Sequence, residues 1–194
     1  MQYNFYPGPS KIYPQVSEYF KEAMESGILE RNHRSSAFEE LFSTTKILLK
    51  SKLNIPLEYE IMVVSSATEC WEIIAQSFVK NKSFHFFNGA FGEKWSEYSR
   101  KIHPEAEEKT FSLDGKPSFQ SVDMNAELLA FTHNETSNGT ALAVDFQRKV
   151  RSQFPNSLIA YDTTSSMAGY DLEWEWGDIW YASVQKCFGL PAGM

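Results

Sequence analysis

Lys186 closes the apolar run Asp178-Ile-Trp-Tyr-Ala-Ser-Val-Gln-Lys186 and is followed at once by Cys-Phe-Gly-Leu-Pro-Ala-Gly. Twenty-four positions earlier a second run, Leu158-Ile-Ala-Tyr-Asp162, ends in a carboxylate. Runs of this length and composition read as buried strands. An amine and an acid at neighbouring strand ends suit the chemistry of pyridoxal 5'-phosphate. Its aldehyde needs an amine nucleophile, and its ring draws electrons well only while a carboxylate keeps the pyridine nitrogen protonated. Lys186 and Asp162 fill those two roles. Alone the pair is weak, because a lysine ending a strand is commonly a solvated edge residue and an aspartate there commonly caps a helix. Its weight comes from small polar turns at other predicted strand ends, where open α/β sheets take their ligands.

The turn Ser65-Ser-Ala-Thr68 lies between a predicted strand and a predicted helix. Its small residues let backbone N–H groups approach an anion at the helix N-terminus, which suits the cofactor phosphate. There is no Walker lysine and no G-x-G-x-x-G, so nucleotide versions of the site are disfavoured. A plain N-cap by Ser66 or Thr68 accounts for the same residues. Gly89-Ala-Phe-Gly92 reads as a strand-to-helix turn that presents Phe91 to a flat ligand, with core packing as the equal alternative. Trp95, one helical turn on, reads as packing. The run Asn134-Glu-Thr136-Ser-Asn-Gly139 could hold the phenolic oxygen of the ring, and the same residue types also make ordinary turns. His33 and Arg34 share a predicted loop; a guanidinium can grip a carboxylate or phosphate with two bonds, as a clamp for an acidic substrate would, or pair with surface glutamates.

The elements that must position these residues follow from periodicity. Residues 1–14 form an N-terminal segment, and residues 15–194 a cofactor-binding large domain. Val16, Tyr19, Phe20, Ala23 and Met24 recur with helical spacing up to Gly27. Ser35 or Ser36 caps a second helix whose stripe runs through Phe38, Leu41, Phe42, Thr45, Leu48 and Leu49. Strand and helix then alternate: strands at Glu60–Ser65, Phe84–Phe87, Lys109–Ser112, Leu128–Thr132, one ending at Asp162 and one near Val184; helices over Ala67–Lys80, Glu93–Lys101 and Asp145–Gln153. Such alternation makes right-handed βαβ units and a mainly parallel sheet.

Bulk properties narrow the partners. The 194 residues are 42% hydrophobic and 15% aromatic, enough for a real core. A net charge of −7 without a dense Lys/Arg run disfavours a nucleic-acid surface. The opening residues lack a targeting pattern and no apolar run reaches membrane-spanning length, so a cytoplasmic protein is expected. Cys70 and Cys187 form no CxxC, as suits a reducing compartment, and His33, His85, His103 and His133 show no metal-ligand spacing.

Together Phe5-Tyr-Pro-Gly-Pro9 with Pro14, Asn32-His-Arg-Ser35 with Phe38, Asn134-Glu-Thr-Ser-Asn-Gly139, Tyr161-Asp162 and Gln185-Lys186 carry a resemblance that covers the whole chain. The pattern resembles the class V aminotransferases of pyridoxal phosphate fold type I, most closely the phosphoserine aminotransferases. That resemblance implies an α/β large domain with a mainly parallel, seven-stranded-type sheet and flanking helices, in a homodimer acting on amino and oxo acids. It implies a full protein roughly twice this length, with a small C-terminal domain largely missing here that carries the arginine for the substrate's α-carboxylate. It makes Lys186 the cofactor-attaching lysine and Asp162 the partner of the pyridinium nitrogen. Gln185, Ala67 and Thr68 would meet the phosphate region, Thr136 the phenolic oxygen, and Phe91 the ring face. Arg34, helped by His33, would take the substrate's distal acid group. The family usually has a tryptophan where this chain has Phe91, and a more glycine-rich turn in place of Ser65-Ser-Ala-Thr68. Both versions resemble the wider class V group, including alanine–glyoxylate and serine–pyruvate aminotransferases, and a non-catalytic sensor of the cofactor or of an amino acid is a third reading.

Overall fold

In the computed structural model, which describes residues 5–193, five short strands line up in parallel. They are β1 (Ser83–Phe87), β2 (Glu107–Thr110), β3 (Leu128–Thr132), β6 (Leu158–Asp162) and β7 (Ile179–Tyr181), in spatial order β2-β1-β3-β6-β7. A separate antiparallel pair, β4 (Asn134–Glu135) and β5 (Thr140–Ala141), follows β3 directly. Residues 1–4 and 194, which belong to the expected N-terminal segment and large domain, lie outside the described residues.

Both faces of the sheet are covered, which is why β1, β3 and β6 read as continuous runs, whereas the edge strand β2, Glu-Glu-Lys-Thr, alternates. On one face Phe84, Phe86, Leu129, Phe131, Ile159 and Tyr161 pack against Val150 and Phe154 at the end of α5 (Val144–Gln153). On the other, Leu128, Ala130, Ala160 and Tyr181 meet Trp71 and Ile74 of α3 (Ala67–Phe78) and Trp95 of α4 (Ala90–Ile102). Trp95 is 1% exposed, so packing is its role. The register sets Thr132 beside Asp162 and Asp162 beside Tyr181, bringing three strand ends to one edge.

Two helices precede the sheet, α1 (Val16–Glu25) and α2 (Ser36–Leu53), with Ser35 as the N-cap of α2, its hydroxyl accepting from Phe38 N. The amphipathic stripe forms the helix as expected, yet no residue of α2 is buried among the described residues, and Leu41, Ile47 and Leu48 are exposed. No helix of the described residues is long and apolar enough to cross a membrane.

Four expected elements differ. Glu60–Ser65 is not a strand: no described strand pairs with it, and Met62 and Val63 are exposed. Apolar β-branched residues make a segment fit to pair, but pairing needs a neighbour. The strand expected at Lys109–Ser112 sits two residues earlier, where Glu107–Thr110 matches Phe84–Phe87. The strand expected near Val184 ends at Tyr181, because its partner β6 ends at Asp162 and the Tyr181 carbonyl is taken by Thr163 N at 2.9 Å and Thr163 Oγ1 at 2.8 Å. Finally, Gly89–Gly92 is not a free turn: α4 starts at Ala90, so Phe91 stands in its first turn.

Candidate active site

Asp162 ends a strand that is buried from Ile159 onward, and is itself 5% exposed. One carboxylate oxygen accepts from Thr164 N at 2.8 Å, and among the described residues Asp162 has no ion pair. Burial pushes its carboxyl above the usual range; hydrogen bonds from Thr164 and Tyr181 oppose that shift, and the charge of Glu135 adds to it. Tyr181, its register partner, accepts Trp71 Nε1 at 2.6 Å and has its hydroxyl pushed far up, first by burial and then by Asp162. Cys70 in the first turn of α3 is pushed up to about 11 by burial and by the same carboxylate, so it is an inert thiol rather than a nucleophile.

Lys186 lies five residues beyond β7 and is half-buried. Its ammonium donates to the Pro7 carbonyl at 2.6 Å. The N-terminal strap continues along the same loop: Ser10 N donates to the Gln185 carbonyl at 2.8 Å, Ser10 Oγ to the Lys186 carbonyl at 2.6 Å, and Tyr13 N to the Gly189 carbonyl at 3.1 Å. Sequence reasoning missed this strap, since nothing in Pro7-Gly-Pro-Ser10 announces a partner nearly 180 residues away.

The remaining candidates are fixed one by one. Ser66 is the N-cap of α3, accepting Glu69 N at 3.1 Å, while Glu69 folds back to accept Ser65 N at 2.7 Å and Ser65 Oγ at 2.6 Å. Ala67 and Thr68 therefore stand in the first turn of α3, where backbone N–H groups have no intrahelical acceptor. Thr136 shares a hydrogen bond with the Ser165 hydroxyl, three residues past Asp162. Cys187 Sγ donates to the Ser165 carbonyl at 3.4 Å, which ties the Lys186 loop to the same turn. Phe91 is 39% exposed at the N-terminus of α4. His33 and Arg34 are exposed before α2, where Arg34 N donates to Asn32 Oδ1 at 2.8 Å. No hydrogen bond or ion pair joins either side chain to the Asp162 cluster among the described residues.

His133 is a core residue: its Nδ1 meets Ser166 Oγ at 2.8 Å, and burial takes its imidazole down to about 4. Among the described residues no group of three or more His, Cys, Asp or Glu converges as metal ligands would. One buried hydroxyl at the strand ends, Thr132 Oγ1, has no hydrogen-bond partner among the described residues. A buried acid without a cation, an unpartnered hydroxyl and a half-buried lysine form a donor set that fits pyridoxal 5'-phosphate. The acid would answer a ring cation, and the hydroxyl has a hydrogen bond to give.

Known proteins share the fold and the family of this chain. The chain is 28% identical over 189 residues to the phosphoserine aminotransferase of Rhodococcus opacus (strain B4), covering 96% of this chain and 49% of that protein. It is 30% identical over 191 residues to that of Corynebacterium glutamicum (strain R), covering 96% and 49%. The chain thus spans about half the length of these curated relatives. The crystal structure of a phosphoserine aminotransferase from Cytophaga hutchinsonii superposes with a TM-score of 0.89 at 38% identity, over 96% of this chain and 52% of that one. An alanine–glyoxylate aminotransferase from Nostoc sp. shares the fold at a TM-score of 0.73 and 19% identity, over 100% and 54% of the two chains. The family model described as aminotransferase class-V matches residues 2–194, and the chain belongs to that family.

Proposed function

We propose that the protein takes part in pyridoxal 5'-phosphate-dependent transamination, interconverting L-phosphoserine and 2-oxoglutarate with 3-phosphohydroxypyruvate and L-glutamate, as a cytoplasmic homodimer in serine biosynthesis. The observation that carries the reading is the pairing of β6 with β7. It puts the buried Asp162 carboxylate beside the strand that leads to Lys186. The likeness to phosphoserine aminotransferases supports the substrate choice.

When bound, the cofactor supplies an electrophilic carbon and an electron-withdrawing ring. Lys186 would hold it through Nζ, and the same amine, when free, would take the substrate's α-proton and return it. Asp162 keeps a proton on the pyridine nitrogen; a cation there also removes the cost that burial places on the carboxylate. The first-turn N–H groups of Ala67 and Thr68, the Thr68 hydroxyl and Gln185 receive the phosphate. Thr136 meets the phenolic oxygen and Phe91 covers a ring face. Arg34, with His33, receives the distal acid of the substrate, which favours doubly anionic amino acids.

A second reading, alanine–glyoxylate or serine–pyruvate transamination, is favoured by Phe91 and by the serine-rich turn at 65–68. A sensor role is disfavoured because Asp162 and Lys186 are both present. The test is to load the protein with pyridoxal phosphate and titrate it with glutamate, phosphoserine and alanine while following the absorbance of the lysine-bound form. Glutamate and phosphoserine should discharge the band, and Lys186→Ala should abolish band and turnover together. A Lys186→Ala protein that keeps both would overturn the assignment, and discharge by alanine alone would select the second reading.

A further inference from the structure

Phe91 is the one ring candidate that packing does not hold. The residue is 39% exposed, and Lys94 Nζ sits 6.0 Å from the ring centre. Its position is therefore set by the backbone of the first turn of α4. That turn is anchored from a distant segment, the loop between β4 and β5. Glu135 Oε1 accepts Phe91 N at 3.4 Å and Oε2 accepts Gly92 N at 3.2 Å. Ser137 Oγ accepts Ala90 N at 3.0 Å and donates to Glu135 Oε1 at 2.6 Å, while Ser137 N donates to the same oxygen at 3.1 Å.

Glu135 is 2% exposed and has no ion pair among the described residues. A buried carboxylate is costly without compensation, and here the compensation is the positive end of α4 together with the four hydrogen bonds. The approach is close. A Cβ on Gly89 would lie 2.4 Å from Glu135 Cγ and 2.6 Å from Ser137 Oγ. A local cap on residue 88 or 89 would satisfy the same N–H groups without tying α4 to anything else. The cap used instead comes from residues 43 to 47 positions away, and Thr136 between them faces the other way, onto Ser165. One loop thus fixes the residue over the ring and the residue at its edge relative to each other.

We propose that Glu135, assisted by Ser137, is a positioning residue that holds Phe91 over the cofactor ring at a set distance from Thr136. The proposal rests on the reading of Phe91 given above. It is tested on the pyridoxal phosphate-loaded protein with Glu135→Ala, Glu135→Gln, Phe91→Ala and the Glu135→Ala/Phe91→Ala double variant. The readouts are cofactor affinity, the visible circular dichroism of the bound ring, and hydrogen exchange at the amides of residues 90–92.

Glu135→Ala should weaken cofactor binding about fivefold, the size of a lost helix cap, diminish the visible dichroism and speed the three amides. Glu135→Gln keeps an acceptor oxygen and should restore most of the dichroism. In the Phe91→Ala background, Glu135→Ala should have a clearly smaller further effect on affinity, what is left acting through Asp162 and Thr136. An equal loss in both backgrounds, or unchanged dichroism in Glu135→Ala, overturns the proposal. If Glu135→Ala does not fold, Ser137→Ala takes its place in the cycle, with a loss of about twofold expected. The function reading fails separately. In that case the unmodified protein forms no lysine-bound cofactor at all, whereas failure of the clamp alone leaves that band intact.

Discussion

Gly8 is the residue at which backbone geometry and the candidate catalytic lysine meet, and Gly8→Ala tests both. Its φ of +149° lies where L side chains are strained. A Cβ built there would lie 2.3 Å from Lys186 Nζ, 2.7 Å from Cε and 3.0 Å from Cδ. The end of a lysine is flexible and would move aside, but moving aside breaks its 2.6 Å bond to the Pro7 carbonyl. The backbone strain costs about 1–3 kcal/mol. The strap is short and can peel away instead of carrying that strain, so global stability should fall little, while exchange at the Ser10 and Tyr13 amides, which close the strap onto Gln185 and Gly189, should rise by roughly 5- to 150-fold. The Lys186–Pro7 bond must be given up before Nζ can attack an aldehyde, so its loss, discounted to about 1 kcal/mol for exposure, should raise cofactor loading roughly fivefold. The assay is a pyridoxal phosphate titration, read by absorbance and by the mass of the borohydride-trapped Lys186 peptide, with exchange measured alongside. Unchanged loading together with unchanged exchange at Ser10 and Tyr13 would refute the claim that the strap seats the lysine.

Asp162→Asn should separate stability from catalysis. The folded carboxyl is raised, so its burial cost is present above the folded pKa and vanishes as pH falls below the unfolded value. Asparagine removes that cost and keeps an acceptor for Thr164 N. Urea unfolding of the cofactor-free variant should show a gain at pH 7 that disappears in acid, while turnover drops about 100-fold or more. Glu127 behaves oppositely. Its carboxylate accepts Asn81 N and Lys80 N at 2.8 Å and Lys82 N at 3.2 Å, which take it down to about 2. That stability is present above the unfolded value near pH 4 and is lost as pH falls toward 2. Discounted for exposure, Glu127→Gln should cost about 1 kcal/mol at pH 7, with the difference from the parent closing in acid.

What the sequence made legible was whatever depends on short periodic runs. The strands at 84–87, 128–132 and 158–162 and the helices behind them are local patterns, so they were visible. What depends on a partner far along the chain was not. Glu60–Ser65 has strand composition without a described strand to pair with, and α2 has a helical stripe without a described surface to cover it. Glu135 looked like one more polar residue in a turn, because no local signal distinguishes a buried acid from a solvated one. The only hint was Gly89, whose missing side chain makes room for it.

The turn after Asp162 explains why so many separate segments could be read as one site. Thr164 N donates to Asp162, Ser165 receives Thr136 through its hydroxyl and Cys187 through its carbonyl, and Ser166 holds His133. Thr163 binds the end of β7. Four consecutive residues thus join β3 through His133, the β4–β5 loop, β7 and the lysine loop to the buried acid. A rigid junction of this kind lets the candidate residues come from distant parts of the sequence while their separations stay fixed, which is what chemistry on a single flat ring demands. Substitutions in residues 163–166 should therefore disturb Thr136 and the Lys186 loop together, whereas substitutions on the exposed faces of α1 and α2 should leave both in place.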